Sequence, residues 1–255
     1  MNQLQKYITH YLPISKDILF VTVCSAVLLS CKEYFGKASI FRPWLYKSTD
    51  SWQYQWASYL FDGELSSLHS LLFWAFSCVL LYLLLPMLIR KWLFPNAASL
   101  FQFRLPASHW KIYAGMLLFM LLPLVAASFL PSFQQTYPFV YIPKGHQFAE
   151  ILFYWEIGYF CQFIAVEYFF RGFLLFAFEK SLGKAAVLVP ILPYVMIHFG
   201  KPFPETVGAI VAGLVLGTMA LRSRSIVPGI FVHFSIAIGM DLLSLWQQGY
   251  FTTQP

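Results

Sequence analysis

A glutamate and an arginine stand four residues apart in Ala165-Val166-Glu167-Tyr168-Phe169-Phe170-Arg171-Gly172-Phe173, a run that is otherwise apolar. At i and i+4 the two charges share a helix face and can pair. Two histidines follow in similarly apolar surroundings: His198, at the end of Tyr194-Val195-Met196-Ile197-His198, and His233, with Asp241 eight residues beyond it. Glu205 lies just after His198, in Lys201-Pro202-Phe203-Pro204-Glu205. Inside hydrocarbon each such group needs a partner, and gathering them in one cavity is the cheapest arrangement. The chemistry such a set offers is water activation. A carboxylate or a histidine can take a proton from water while another polar group stabilises an oxyanion. Alternatively, His198, His233 and Glu167 are a ligand set for a divalent metal such as zinc, which lowers the pKa of bound water. No serine or cysteine has a nucleophile's setting, so covalent catalysis is the weaker enzymatic option. A salt bridge that only locks two helices together is the simpler account of Glu167 and Arg171 alone, and the two histidines downstream weigh against it.

The elements that would position these groups are membrane spans. The 255 residues are 59% hydrophobic and 20% aromatic, and only 11% are charged, against about 25% in an ordinary soluble domain. Mean hydropathy is +0.64. The net charge of +6 does not point to nucleic acid, because the basic residues are scattered singly at the ends of apolar runs, with no clustered basic face. The four cysteines, Cys24, Cys31, Cys78 and Cys161, have neither CxxC nor metal-ligand spacing, and read as small core residues. The weak lipobox likeness of Leu28-Leu29-Ser30-Cys31 follows a long, weakly basic lead containing Asp17, so the first span is expected to be retained.

Spans are expected at 17–35, 69–89, 112–130, 147–179, 185–198, 206–221 and 226–246, giving an all-α polytopic transmembrane bundle of about seven spans, with six to eight as the range. Residues 36–66, rich in Trp and Tyr, read as a loop with pieces lying in the membrane interface. Pro123 should kink the third span, and Pro190 and Pro193 should distort the fifth. Gly208, Gly213 and Gly217 allow the sixth to pack closely. No internal repeat is visible, which argues against a transporter built from paired repeats. Lys6, Lys16, Arg90, Lys91, Arg104, Lys111, Lys180, Lys184, Arg222 and Arg224 fall on one side, and Lys32, Lys37, Arg42, Lys47, Lys144 and Lys201 on the other. Ten against six favours the N-terminus inside and the C-terminus outside.

The order and spacing of these groups resemble the CAAX-protease and bacteriocin-processing (CPBP, Abi) family of intramembrane endopeptidases. Its pattern is EExxxR on one helix, FxxxH on a second and HxxxN or HxxxD on a third. Glu167, Arg171 and Gly172 match the second Glu, the Arg and the Gly that commonly follows. Tyr194 to His198 matches the second motif with Tyr in place of Phe. Ser225-Ile226-Val227-Pro228-Gly229-Ile230-Phe231-Val232-His233 looks like the lead-in to the third. Two positions depart from the pattern: Val166 replaces the first Glu, usually the water-activating base, and Ala237 replaces the Asn or Asp.

The resemblance implies an N-terminal transmembrane region with an amphipathic loop over 1–146, and a catalytic helical core over 147–255. It implies hydrolysis of a peptide bond in a membrane-associated peptide or protein, lipidated or carrying a sorting-type C-terminal tail, with Glu167, Arg171, His198 and His233 as the catalytic set. Glu167, held by Arg171, stands as the general base and Asp241 and Glu205 as supporting carboxylates, the three taking over the missing roles. Metal-free and metal-dependent hydrolysis both stay open. The location it implies is a prokaryotic inner (cell) membrane. The alternative is a catalytically inactive relative acting as an immunity, maturation or scaffold factor.

Overall fold

The computed structural model describes residues 15–47, 51–93, 103, 109–142 and 148–251. Lys6, Arg104 and Lys144, counted above for orientation, lie outside them. The principal helices are α1 (Lys16–Phe35), α2 (Trp52–Phe61), α3 (Ser66–Leu93), α4 (Trp110–Ser128), α5 (Phe148–Glu167), α6 (Phe176–Leu182), α7 (Ile191–Met196), α8 (Phe203–Ser223) and α9 (Val227–Gln247). No β-strand occurs among the described residues. Among the described residues, six helical stretches are long and apolar enough to cross a bilayer: α1, α3, α4, Phe148–Leu188, α8 and α9. The protein is an integral, multi-pass membrane protein.

Local sequence explains the helix ends. Ser15 caps α1 by accepting from the Ile18 N–H, and Ser51 caps α2 by accepting from the Tyr54 N–H. Pro204 and Pro228 sit in the first turns of α8 and α9, where a missing N–H costs nothing. Pro123 lies inside α4, which continues past it. Leu118, Phe119 and Leu122 on α4 are left exposed on the outer face of the bundle, as lipid contact requires. The interfacial expectation falls on α2, which buries Ala57 and Phe61 and leaves Trp52, Trp56 and Tyr59 exposed.

The stretch Phe148–Leu188 is 41 residues long, and a straight helix of that length would run roughly 60 Å, twice a hydrocarbon core. It is not uniform. α5 widens at Tyr168–Leu175 into turns closed by i→i+5 hydrogen bonds, then resumes as α6 and tightens over Gly183–Leu188. Such widened turns are frequent at functional sites. This one begins at the residue after Glu167. A second widened segment, Val79–Leu84 in α3, faces it, and Tyr82 stacks on Phe169 with ring centroids 4.7 Å apart.

The fifth expected span, 185–198, is not a single helix. It consists of the tight turns ending at Leu188, a break at Pro190, and the six residues of α7, because Pro190 and Pro193 supply no N–H to a continuous ladder. It nevertheless runs back along α8 in antiparallel fashion. Val187 lies against Gly217, Ile191 and Tyr194 lie against Gly213, and the Thr206 hydroxyl donates to the His198 carbonyl at 2.9 Å. At the far end of α8, Arg224 forks onto Glu179 through both terminal amines. The segment therefore returns alongside α8 as a broken element, with Val187 and Tyr194 buried and Leu188, Leu192 and Met196 exposed. Non-helical backbone at membrane depth is tolerated where it packs against protein.

The two glycines of α8 make this packing possible. A Cβ on Gly217 would sit 3.2 Å from Val187 Cγ1. Gly217→Leu is expected to wedge the broken segment off α8 and to cost about 1–3 kcal/mol through overpacking. A lowered melting temperature in detergent is the check, and an unchanged one would contradict this packing.

Candidate active site

Glu167 ends α5 at the start of the widened turns, and its carboxylate is 1% exposed. Oε1 accepts from Arg171 Nη1 at 3.0 Å, the pairing expected from i,i+4 spacing, and also meets His233 Nδ1 at 3.0 Å. A carboxylate held by an arginine can only accept, so His233 Nδ1 carries the proton and its Nε2 presents a lone pair. That Nε2 lies 3.4 Å from the Tyr194 hydroxyl. The Arg171 guanidinium sits over the Tyr194 ring, 4.1 Å from its centroid. His198, one turn beyond Tyr194, directs Nδ1 at the Tyr194 carbonyl at 2.7 Å, which fixes the same tautomer and leaves its Nε2 as the acceptor.

Residues from three separate elements thus converge: Glu167 and Arg171 from α5 and its widened continuation, Tyr194 and His198 from the broken segment, and His233 from α9. Four of them are almost sealed, with exposures of 1% for Glu167 and Arg171, 2% for Tyr194 and 7% for His198. His233 is 16% exposed at its side chain, so the cluster opens to its surroundings at that imidazole. The approach of α9 is close. A Cβ on Gly229 would lie 3.0 Å from Glu167 Oε2, and only glycine lets the helix come so near.

The supporting carboxylates are elsewhere. Asp241, fully buried, accepts from the Trp155 indole at 2.7 Å and lies within hydrogen-bonding reach of the Glu156 carboxyl. Glu205 pairs with Lys201 at 2.7 Å and accepts from the Tyr137 hydroxyl. Burial holds that phenol above its ordinary value, so it stays a donor. Neither acid bonds to the Glu167 cluster. Val166 packs in the apolar cluster with Ile230, and Ala237 lies among Ile151, Trp155 and Leu245, so no carboxylate or amide replaces either missing group in place. Glu156, whose carboxyl faces that of Asp241, had only its position in an apolar run to mark it. Tyr194 is legible solely as the Tyr that stands where the motif has Phe.

A metal would need three grouped donors. Among the described residues no three His, Cys, Asp or Glu side chains form such a group. Oε1 of Glu167 is committed to Arg171 and His233, which leaves two imidazole nitrogens and Oε2, and these do not group into a metal site as they stand.

Residues 148–238 match the family model described as type II CAAX prenyl endopeptidase Rce1-like. The segment that carries the motifs is thus similar to the CAAX-protease (CPBP, Abi) family of intramembrane proteases. No curated protein and no solved structure matches the chain.

Two substitutions test the geometry. Trp155→Phe strips Asp241 of its donor and is expected to destabilise the fold by about 1–3 kcal/mol, while activity per folded molecule stays near wild type. Gly229→Ala is expected to leave the fold standing but to displace α9 from Glu167, lowering turnover by roughly 10- to 100-fold. Thermal melts and steady-state rates on the same preparations separate the two effects.

Proposed function

We propose that the protein is an intramembrane endopeptidase that hydrolyses a peptide bond of a membrane-associated peptide or protein, using water activated by the Glu167–His233 couple. The carrying observation is the 3.0 Å contact between His233 Nδ1 and Glu167 Oε1, in a segment matched by a family of proteases. Glu167 was expected from the resemblance to be the base. With Oε1 bonded on both sides, it is better suited to hold His233 in one tautomer and to stabilise the imidazolium, leaving Nε2 to take the proton from water. Arg171 pairs with Glu167 at 3.0 Å. His198 presents a second Nε2 beside the same tyrosine and positions the water or the substrate. The exposure of His233 supplies the entrance.

The reading places the enzyme in the inner (cell) membrane of a prokaryote, with a substrate that is lipidated or carries a sorting-type tail. A second reading, a catalytically inactive immunity, maturation or scaffold factor, draws on Val166 and Ala237, which offer neither a base nor an oxyanion donor.

The experiment uses the purified protein in proteoliposomes with three probes: a prenylated CAAX-type peptide, a leader peptide and a peptide with a sorting-type C-terminal tail. Products are read by mass spectrometry. Wild-type protein is expected to cleave at least one, and His233→Ala and Glu167→Gln to lose about 10²–10⁴-fold in rate. His198→Ala is expected to lose activity as well. Full activity in all three variants rules out this site, and no cleavage by wild type favours the inactive reading. Chelators are expected to leave the rate within about twofold, whereas a metal-activated water would be lost with its ion.

A further inference from the structure

An amide hydrolase needs a donor for the carbonyl oxygen as well as a base for water. The position that would supply one by resemblance, Ala237, cannot. In the cluster itself Arg171 Nη1 and His233 Nδ1 both go to Glu167 Oε1 and His198 Nδ1 goes to the Tyr194 carbonyl, while Arg171 Nη2, buried with no hydrogen-bond partner, belongs to the guanidinium that lies against the Tyr194 ring. The Tyr194 hydroxyl differs. Its contact with His233 Nε2 is 3.4 Å, longer than an ordinary hydrogen bond to nitrogen, so it stands beside the base without being firmly held by it.

The ring that carries this hydroxyl is fixed on several sides. Phe170 meets it edge-on at 5.2 Å, and the His198 ring lies at 4.7 Å. Gly213 of α8 backs it closely enough that a Cβ there would be 3.4 Å from its Cδ1. The Arg171 charge over its π face draws electron density from the phenol and strengthens the O–H as a donor. A rigid, polarised donor aimed next to the base is the arrangement that stabilises developing negative charge without reorganisation.

We infer that Tyr194 is a catalytic residue, its hydroxyl donating to the oxyanion formed during peptide hydrolysis in place of the group that Ala237 lacks. This rests on the endopeptidase reading above. Water gives one proton to His233 Nε2 as its oxygen bonds to the carbonyl carbon, and the C=O π pair moves onto the carbonyl oxygen. The Tyr194 hydroxyl, not held by Nε2, whose lone pair takes the water's proton, donates to the oxyanion as the charge appears. On collapse the C=O re-forms, the C–N bond breaks, and the proton on His233 passes to the leaving nitrogen. The products are a carboxylic acid and an amine, and the site returns to its starting state.

The test is Tyr194→Phe, which keeps the ring and loses only the hydroxyl, assayed in proteoliposomes on whichever of the three probes wild type cleaves. Expected is a fall in kcat of about 10²–10³-fold, with KM within about threefold and an unchanged melting temperature. A kcat within about threefold of wild type, or a loss confined to KM, overturns the assignment. Should Tyr194→Phe melt early, 2,3-difluorotyrosine at position 194 preserves the shape and makes the phenol more acidic. It is expected to move the alkaline fall of kcat to lower pH, and an unmoved profile overturns the assignment. Absence of cleavage by wild type is a different outcome, and overturns the endopeptidase reading on which this one rests.

Discussion

One carboxylate oxygen holds the centre of this bundle together. Glu167 Oε1 accepts from Arg171 Nη1 and from His233 Nδ1, both at 3.0 Å, and Glu167 and Arg171 are each 1% exposed. Removing one member of such a buried pair leaves a charge with no solvent and costs about 3–5 kcal/mol. The bonds therefore constrain more than the site. They fix the depth of α9 relative to α5, and they hold Arg171 over Tyr194, which in turn locates the broken segment between its neighbours. The apolar packing of Phe169, Phe170, Tyr82 and Ile230 around the pair keeps water out, so the interactions act at full strength.

Much of this was legible in the sequence, for identifiable reasons. The spans could be read because a bilayer demands long apolar runs, and the pairing of Glu167 with Arg171 followed from helical spacing. Convergence of His233 on Glu167, across 66 residues, was accessible through the motif order and through the requirement that every buried polar group find a partner. That requirement names no partner by itself, which is why Asp241 and Glu205 were also candidates for the same cluster. Trp155 took one and Lys201 with Tyr137 took the other. An indole and a phenol carry a donor on a largely apolar ring, so hydropathy gives no sign of them as partners for an acid.

The segment between α6 and α8 shows a different limit. Pro190 and Pro193 announced a distortion, yet their effect is to replace a crossing helix by two short pieces while preserving its direction along α8. Continuity is supplied by the small residues of the neighbour, Gly213 and Gly217, and by the Thr206 bond to the His198 carbonyl. A helix would have presented side chains at fixed angular steps. The broken path instead aims the Tyr194 hydroxyl at His233 and the His198 imidazole back at the same turn, an arrangement that periodicity cannot anticipate.

Gly229 carries a consequence for how this chain can vary. Glu167 Oε2 lies 3.0 Å from the place that a methyl group on the Gly229 α-carbon would take. The length of the acid at 167 and the bulk at 229 are thus one shared dimension. Aspartate at 167, a methylene shorter, frees room that alanine at 229 would use, but draws the carboxylate back from His233. The two positions are expected to show epistasis in any library of this protein, each tolerating change only in step with the other, even though they lie on different helices.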